Sequence, residues 1–162
     1  MDVPGGAELG PYTRTGWREW VSLPDLGVDW IKAKIDTGAR TSSLHAFDLE
    51  HEREGGERVA RFTVRPWQGN EDDLVPATCP VLDEREVRSS SGHAETRIVV
   101  GLRIRLVGRS VPAEVTLSRR DEMDFRMLVG REALAQGFLV DPAASYVGGR
   151  PPLALRRRNR GR

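Results

Sequence analysis

A mainly-β, barrel-like domain with one short helix near its C-terminal end is what this 162-residue sequence predicts. Three observations predict it. Apolar residues recur at every second position over several stretches, the period of strands with one buried face. Gly- and Pro-containing turns separate those stretches at short intervals. A single clear helix follows, from Arg131 to Gln136, opened by Gly130 and closed by Gly137. Many short strands with so little helix fit a sheet that curls on itself.

Taken in order, residues 1–15 are Gly- and Pro-rich and are expected to form a flexible N-terminal segment. Ordered structure is expected from about Trp17, in one domain spanning 16–149. Trp17 to Leu23 reads as a strand and Pro24 to Gly27 as a turn. Val28 to Ile35 reads as the returning strand, with Ile31, Ala33 and Ile35 on one face. A helical turn is expected near Leu44 to Leu49. After the Gly55-Gly56 turn, Ala60, Phe62 and Val64 alternate with Arg61, Thr63 and Arg65. Pro66 to Ser91, with its acidic run and two prolines at Pro76 and Pro80, reads as a long loop with room for one strand.

The strongest strand signal is Thr96 to Val107. Ile98, Val100, Leu102, Ile104 and Leu106 fall on one face and are expected to point inward, while Arg97, Arg103 and Arg105 fall on the other. A turn at Gly108-Arg109 leads to Val111, Ala113, Val115 and Leu117. Pro112 removes a ladder donor there, which predicts an edge or a bulge. Residues 150–162 read as a basic disordered tail.

Composition excludes several classes of function. Apolar residues make up 38% of the chain and charged residues 30%, the balance of a globular protein able to bury a core. No apolar run nears the roughly 18 residues that cross a bilayer. The N-terminus has neither the basic nor the apolar region of a secretory signal. Cys79 is the only cysteine, so no intramolecular disulfide exists. These features predict a cytoplasmic protein with no membrane contact. Net charge is +1, yet five arginines crowd the last seven residues, which leaves a mildly acidic body. That is not the balance of a protein built around nucleic acid. The arginine block reads as a solvated chain end.

The stretch IDTGARTSSLHA, residues 35–46, carries the chemistry. An apolar strand runs straight into Asp36-Thr37-Gly38-Ala39. A short carboxylate therefore sits at the end of a rigid element, on a tight turn that Gly38 permits, with Thr37 and Ser42 offering hydroxyls to fix the loop. Three residues alone are equally a plain turn at a strand end. Some ninety residues later, Met127-Leu128-Val129-Gly130-Arg131 repeats the theme of apolar residues and a glycine before the helix.

With the blocks DTGARTSSLHA (36–46), REVRSSSGHAETRIVV (85–100), RDEMDFRMLVGREAL (120–134) and FLVDPAASYVGG (138–149), the chain resembles the bacterial and archaeal retropepsin-like aspartic endopeptidases often labelled ATP-dependent zinc proteases. The resemblance covers about Trp17 to Gly148. It implies a closed acid-protease barrel with Asp36 as the catalytic residue. It also implies that Thr37, Gly38, Ala39 and Gly130 support the catalytic loop, and that a homodimer completes the site on a peptide or protein substrate. Arg40, Ser42, Arg97 and Arg131 become candidates for the substrate cleft or for structural contacts beside it. Members of this family often travel with ATP-grasp glutamate ligases that modify a ribosomal protein, which implies a ligase as a partner. The alternative is a non-catalytic adaptor for such a ligase. In viral retropepsins an acidic residue after the Asp-Thr-Gly motif pairs with the arginine after the second glycine. Here Arg40 and two serines stand there, so Arg131 needs another partner.

No cofactor and no metal are expected. HExxH, CxxC and paired His–Cys spacings are absent, and His45, His51, His93 and Cys79 are scattered. A GxxxxGK[ST] loop is also absent, so any ATP dependence would come from a partner. Cys79, beside Pro80 and without a signalled base, makes a poor nucleophile. Ser89-Ser90-Ser91-Gly92-His93 reads as a polar turn between strands.

Overall fold

The computed structural model describes residues 10–70, 72–88, 92–118 and 125–159. Its strands are β1 (Thr13–Thr15), β2 (Arg18–Leu23), β3 (Val28–Ile35), β4 (Ser42–His45), β5 (Phe47–Glu54), β6 (Glu57–Val64) and β7 (Val75–Arg88). They continue with β8 (Ala94–Leu106), β9 (Arg109–Ser118), β10 (Met127–Val129) and β11 (Phe138–Val140). The helices are α1 (Arg131–Leu134) and α2 (Leu153–Arg158).

Six strands, in the order β2-β3-β10-β4-β9-β8, form a barrel that closes where Ser22 of β2 pairs with Arg105 of β8. Alternation explains why β8 can line it. Ile98, Val100, Leu102, Ile104 and Leu106 are each no more than 3% exposed, while Arg103 and Arg105 face solvent. They pack with Leu23, Ile31, Leu44, Val115, Leu117 and Met127 in one continuous core. The predicted mainly-β closed barrel and the inward face of β8 are therefore both present. Pro112 lies in the half of β9 that pairs only β8, because β4 joins β9 from Val115 onward. That is the edge position a missing donor requires.

Strands β5, β6 and β7 form an arm beside the barrel. The first half of β7 pairs with β6 and the second half with β8. The segment expected to be mostly loop is thus largely strand over its last fourteen described positions. Ser89, Ser90 and Ser91 of the expected polar turn lie outside the described residues, as do 1–9 and 160–162.

Three further expectations differ from the structure. The helical turn near Leu44 to Leu49 is instead β4 and the start of β5. There Leu44, His45 and Ala46 are buried in succession, and Asp48 turns the chain at φ 51°. Thr13–Thr15 falls in the expected loose segment but pairs in parallel with Phe138–Val140. The expected disordered tail carries α2, and the buried Asn159 that follows it accepts a 2.8 Å hydrogen bond from Asn70.

Buried Glu19 explains how the loop after β11 is held. Its carboxylate accepts hydrogen bonds from the backbone N–H groups of Gly16 at 2.7 Å, Val147 at 3.0 Å and Gly148 at 3.0 Å. A carboxylate with that many charge-assisted bonds is satisfied although it is taken out of water.

Two surface aspartates tie distant segments and predict a pH effect. The Arg103 backbone N–H, reinforced by its guanidinium, holds the Asp25 carboxyl below its ordinary value of 3.8. The Arg14 guanidinium and the Ala143 N–H do the same for Asp141. A folded pKa below the unfolded one adds stability that is complete above about pH 4 and is lost as pH falls through the lowered values. Thermal melts should therefore show Asp25→Asn/Asp141→Asn less stable than the parent at pH 7, with the gap narrowing towards pH 3.

Candidate active site

Strand β3 delivers Asp36 to one end of the barrel. Its neighbour β10 runs parallel, with Val129 level with Ile35, and β4 runs antiparallel to β10 on the other side. The loop 36–41 therefore leaves β3, crosses the end of β10 and re-enters the sheet as β4. Backbone bonds sew it in place. The Asp36 N–H donates to the Val129 carbonyl at 2.9 Å, and the Arg131 N–H donates to the Ala39 carbonyl at 2.6 Å. The Glu132 N–H donates to the Arg40 carbonyl at 3.0 Å, and the Ile35 N–H to the Trp17 carbonyl at 2.8 Å.

Gly130 makes this crossing possible. A Cβ there would stand 2.3 Å from the Thr41 carbonyl oxygen and 3.0 Å from that of Ala39. Only a residue without a side chain lets the two backbones pass so closely. Buried Ser42 completes the junction by accepting the Gly130 N–H at 3.1 Å through Oγ.

Asp36 itself is half-buried. Its Oδ1 accepts the Gly38 N–H at 2.9 Å. Its Oδ2 has no hydrogen-bond partner among the described residues. The loop thus orients one carboxylate oxygen internally and leaves the other for a group from outside. Gly38 keeps that arrangement open, since a Cβ would lie 3.2 Å from Oδ1. Gly38→Ala should therefore leave the melting temperature within a few degrees but push the carboxylate off its position, as a shifted Asp36 side-chain resonance in NMR would report.

Arg131 finds its partner in the loop rather than in an acid: its guanidinium donates to the Thr37 carbonyl at 3.2 Å. The ion pair between loop and helix is carried by Arg40 and Glu132, with Nε 2.9 Å from Oε1. Compared with the viral pattern the charges are exchanged, the base in the loop and the acid on α1. Both side chains are well exposed, so the pair mainly sets geometry and adds little energy.

Of the residues singled out in the sequence, Asp36, Thr37, Gly38, Ala39, Arg40, Ser42, Gly130 and Arg131 converge here. Arg97 does not. It lies on β8 opposite Arg85, with Glu95 3.9 Å away. The sequence reading missed Glu132, although its place beside Arg131 at the start of α1 set it facing the loop. Cys79 is buried in β7, and that burial pushes its thiol pKa up, the wrong direction for a nucleophile. Among the described residues, no three His, Cys, Asp or Glu side chains converge as metal ligands would.

A family model described as the RimB-like retropepsin-like aspartic endopeptidases matches residues 14–151. The chain belongs to that family. Two relatives of this RimB-like chain, from Desulfotalea psychrophila and Parasynechococcus marenigrum, are named probable alpha-L-glutamate ligase. They are 42% and 45% identical over 128 and 131 residues, which is 79% and 81% of this chain. The RimB-like chain spans only 28% of each relative's length. A solved Legionella pneumophila protein of unknown function is 26% identical, with a TM-score of 0.69, covering 84% of this chain and 98% of that one. These names correct one expectation: the relatives are named as ligases, not as ATP-dependent zinc proteases. No helix among the described residues is long and apolar enough to cross a membrane.

Proposed function

We propose that this chain is an aspartic endopeptidase whose active site is a pair of Asp36 carboxylates brought together by two copies. The observation that carries the proposal is the anchored loop, which fixes one oxygen of a half-buried Asp36 and leaves the other without a hydrogen bond among the described residues. Hydrolysis needs two carboxylates sharing one proton. No other aspartate in these 162 residues is followed by Thr-Gly or Ser-Gly, and on this reading a second copy of the chain supplies the other carboxylate. The ionised member takes a proton from a water as that water attacks the peptide carbonyl. The protonated member hydrogen-bonds the carbonyl oxygen, and the proton gained by the pair then passes to the leaving amine as the C–N bond breaks. The step needs one member ionised and the other protonated. Peptidase activity should therefore rise and fall in a bell with pH. Hydrolysis of a peptide library, measured beside sedimentation over a range of protein concentrations, tests this. Activity should follow the dimer fraction, and full activity from a monomer would contradict it.

A second reading is favoured by the relatives. In proteins named glutamate ligases, a region like this chain makes up about a quarter of the length. That supports a partnership with an ATP-grasp glutamate ligase more directly than it supports hydrolysis. On this reading the barrel is an adaptor, and a ligase assay with added Asp36→Asn protein separates the two. An adaptor keeps its effect on ligation, whereas a peptidase loses its effect on the product.

A further inference from the structure

The outer face of β2 and β3, well away from the core, gathers positive charge on aromatic rings. Three cations lie within 6.0 Å of one ring centroid, that of Tyr146: the Arg150 guanidinium at 4.5 Å, the Arg18 guanidinium at 4.8 Å and the Lys32 ammonium at 6.0 Å. Arg18 also lies 4.8 Å from the Trp17 ring, and Lys32 lies 5.3 Å from that of Trp20. Arg18 stands directly opposite Lys34 in the β2–β3 register, a like-charge pairing that costs stability. Tyr146 occupies the left-handed region at φ 54°, where a bulky side chain is strained.

None of Arg18, Lys34 and Arg150 has a carboxylate within ion-pair distance among the described residues. The Arg18 Nε–H goes to the Ser145 hydroxyl at 3.2 Å, and its terminal nitrogens remain for an anion. Guanidinium groups stacked on rings are held flat with their N–H edges outward, already ordered for a phosphate.

A chain of contacts links this part of the sheet to the C-terminal segment. The Trp20 ring packs on that of Trp67 at 5.2 Å, and three residues later Asn70 bonds to Asn159 at the end of α2. Arg157 and Arg158 on α2 are exposed. No acidic residue follows Asp141 in the sequence, whereas six arginines do. The near-neutral net charge of the whole chain hides this segregation.

We propose that this face binds single-stranded nucleic acid, with Arg18, Lys34 and Arg150 on successive phosphates and the exposed Trp17 side chain against a base. Charge alone would equally suit an acidic peptide. Trp17, 36% exposed beside these cations, tips the choice, because a basic patch with an exposed ring matches a strand that alternates phosphates with flat bases.

The test is fluorescence anisotropy with a labelled 12-nucleotide poly(U) RNA, its DNA counterpart and a 12-residue polyglutamate peptide. Three phosphate contacts on a single strand predict a salt slope near −2, a loss of roughly 20-fold in affinity between 50 and 200 mM salt. Arg18→Gln/Arg150→Gln should weaken oligonucleotide binding at least about tenfold and flatten the slope to near −0.7. Lys34→Gln/Arg150→Gln, which alters two exposed side chains only, gives the same readout should the first variant melt early. Better binding to RNA than to DNA, or equal binding to both, fits the surface. The proposal fails if neither oligonucleotide binds at 50 mM salt, if polyglutamate binds as tightly, or if both variants bind like the parent while truncation after Leu155 abolishes binding.

Discussion

Gly130→Ala is expected to destabilise the protein by about 3 kcal/mol, lowering its melting temperature by roughly 10 °C. The new methyl group would meet the Thr41 carbonyl oxygen at 2.3 Å and carbon at 2.5 Å. Both are backbone atoms pinned by the β4 pairings to β9 and β10, so no flexible side chain can yield. Relief requires moving loop 36–41 away from β10. That movement breaks the bonds from Gly130 to Ser42 and from Arg131 to the Ala39 carbonyl. The same shift drags Asp36, whose N–H is tied to the Val129 carbonyl. Differential scanning calorimetry checks the stability, and hydrogen exchange at Asp36 and Arg131 should accelerate more than exchange in β8. A variant that melts with the parent would mean the loop and strand are not held together as described.

The barrel was legible because its strands alternate. Every second residue of β8 from Ile98 to Leu106 is buried, and period two announces such a strand without help from neighbours. The Asp36 loop was legible as well, since strand, Asp-Thr-Gly and a second glycine stand in order. Elements whose reason for existing lies far off in the chain were harder. β1 is three residues long and owes its place to Phe138–Val140, which no local pattern reveals. β7 was obscured by Pro76 and Pro80. Those prolines sit in the half that pairs only β6, so its other edge has no ladder to break. β4 shows no alternation at its end, because Leu44, His45 and the following Ala46 are buried in succession. Helix α2 looked like charge alone, and the contact between buried Asn159 and Asn70, far apart in the chain, ties its end down.

Asp36→Asn is expected to abolish hydrolysis, by at least about a thousandfold, while leaving stability within about 0.5 kcal/mol. The asparagine amide oxygen still accepts the Gly38 N–H, so the loop keeps its shape. An amide is neither acid nor base at these pH values, and a pair containing one cannot share and pass a proton. A shared site gives this substitution a further consequence that a one-chain site would not have. Once subunits of parent and Asp36→Asn protein have exchanged freely, each mixed dimer holds one carboxylate and one amide and is inactive. The most direct measurement is therefore peptidase activity across mixtures of the two proteins at constant total concentration. A site built from both copies predicts that activity follows the square of the parent fraction, falling to about one quarter in an equal mixture. Activity that falls in simple proportion to the parent fraction, or a parent protein with no hydrolysis at any concentration that forms dimers, would contradict it.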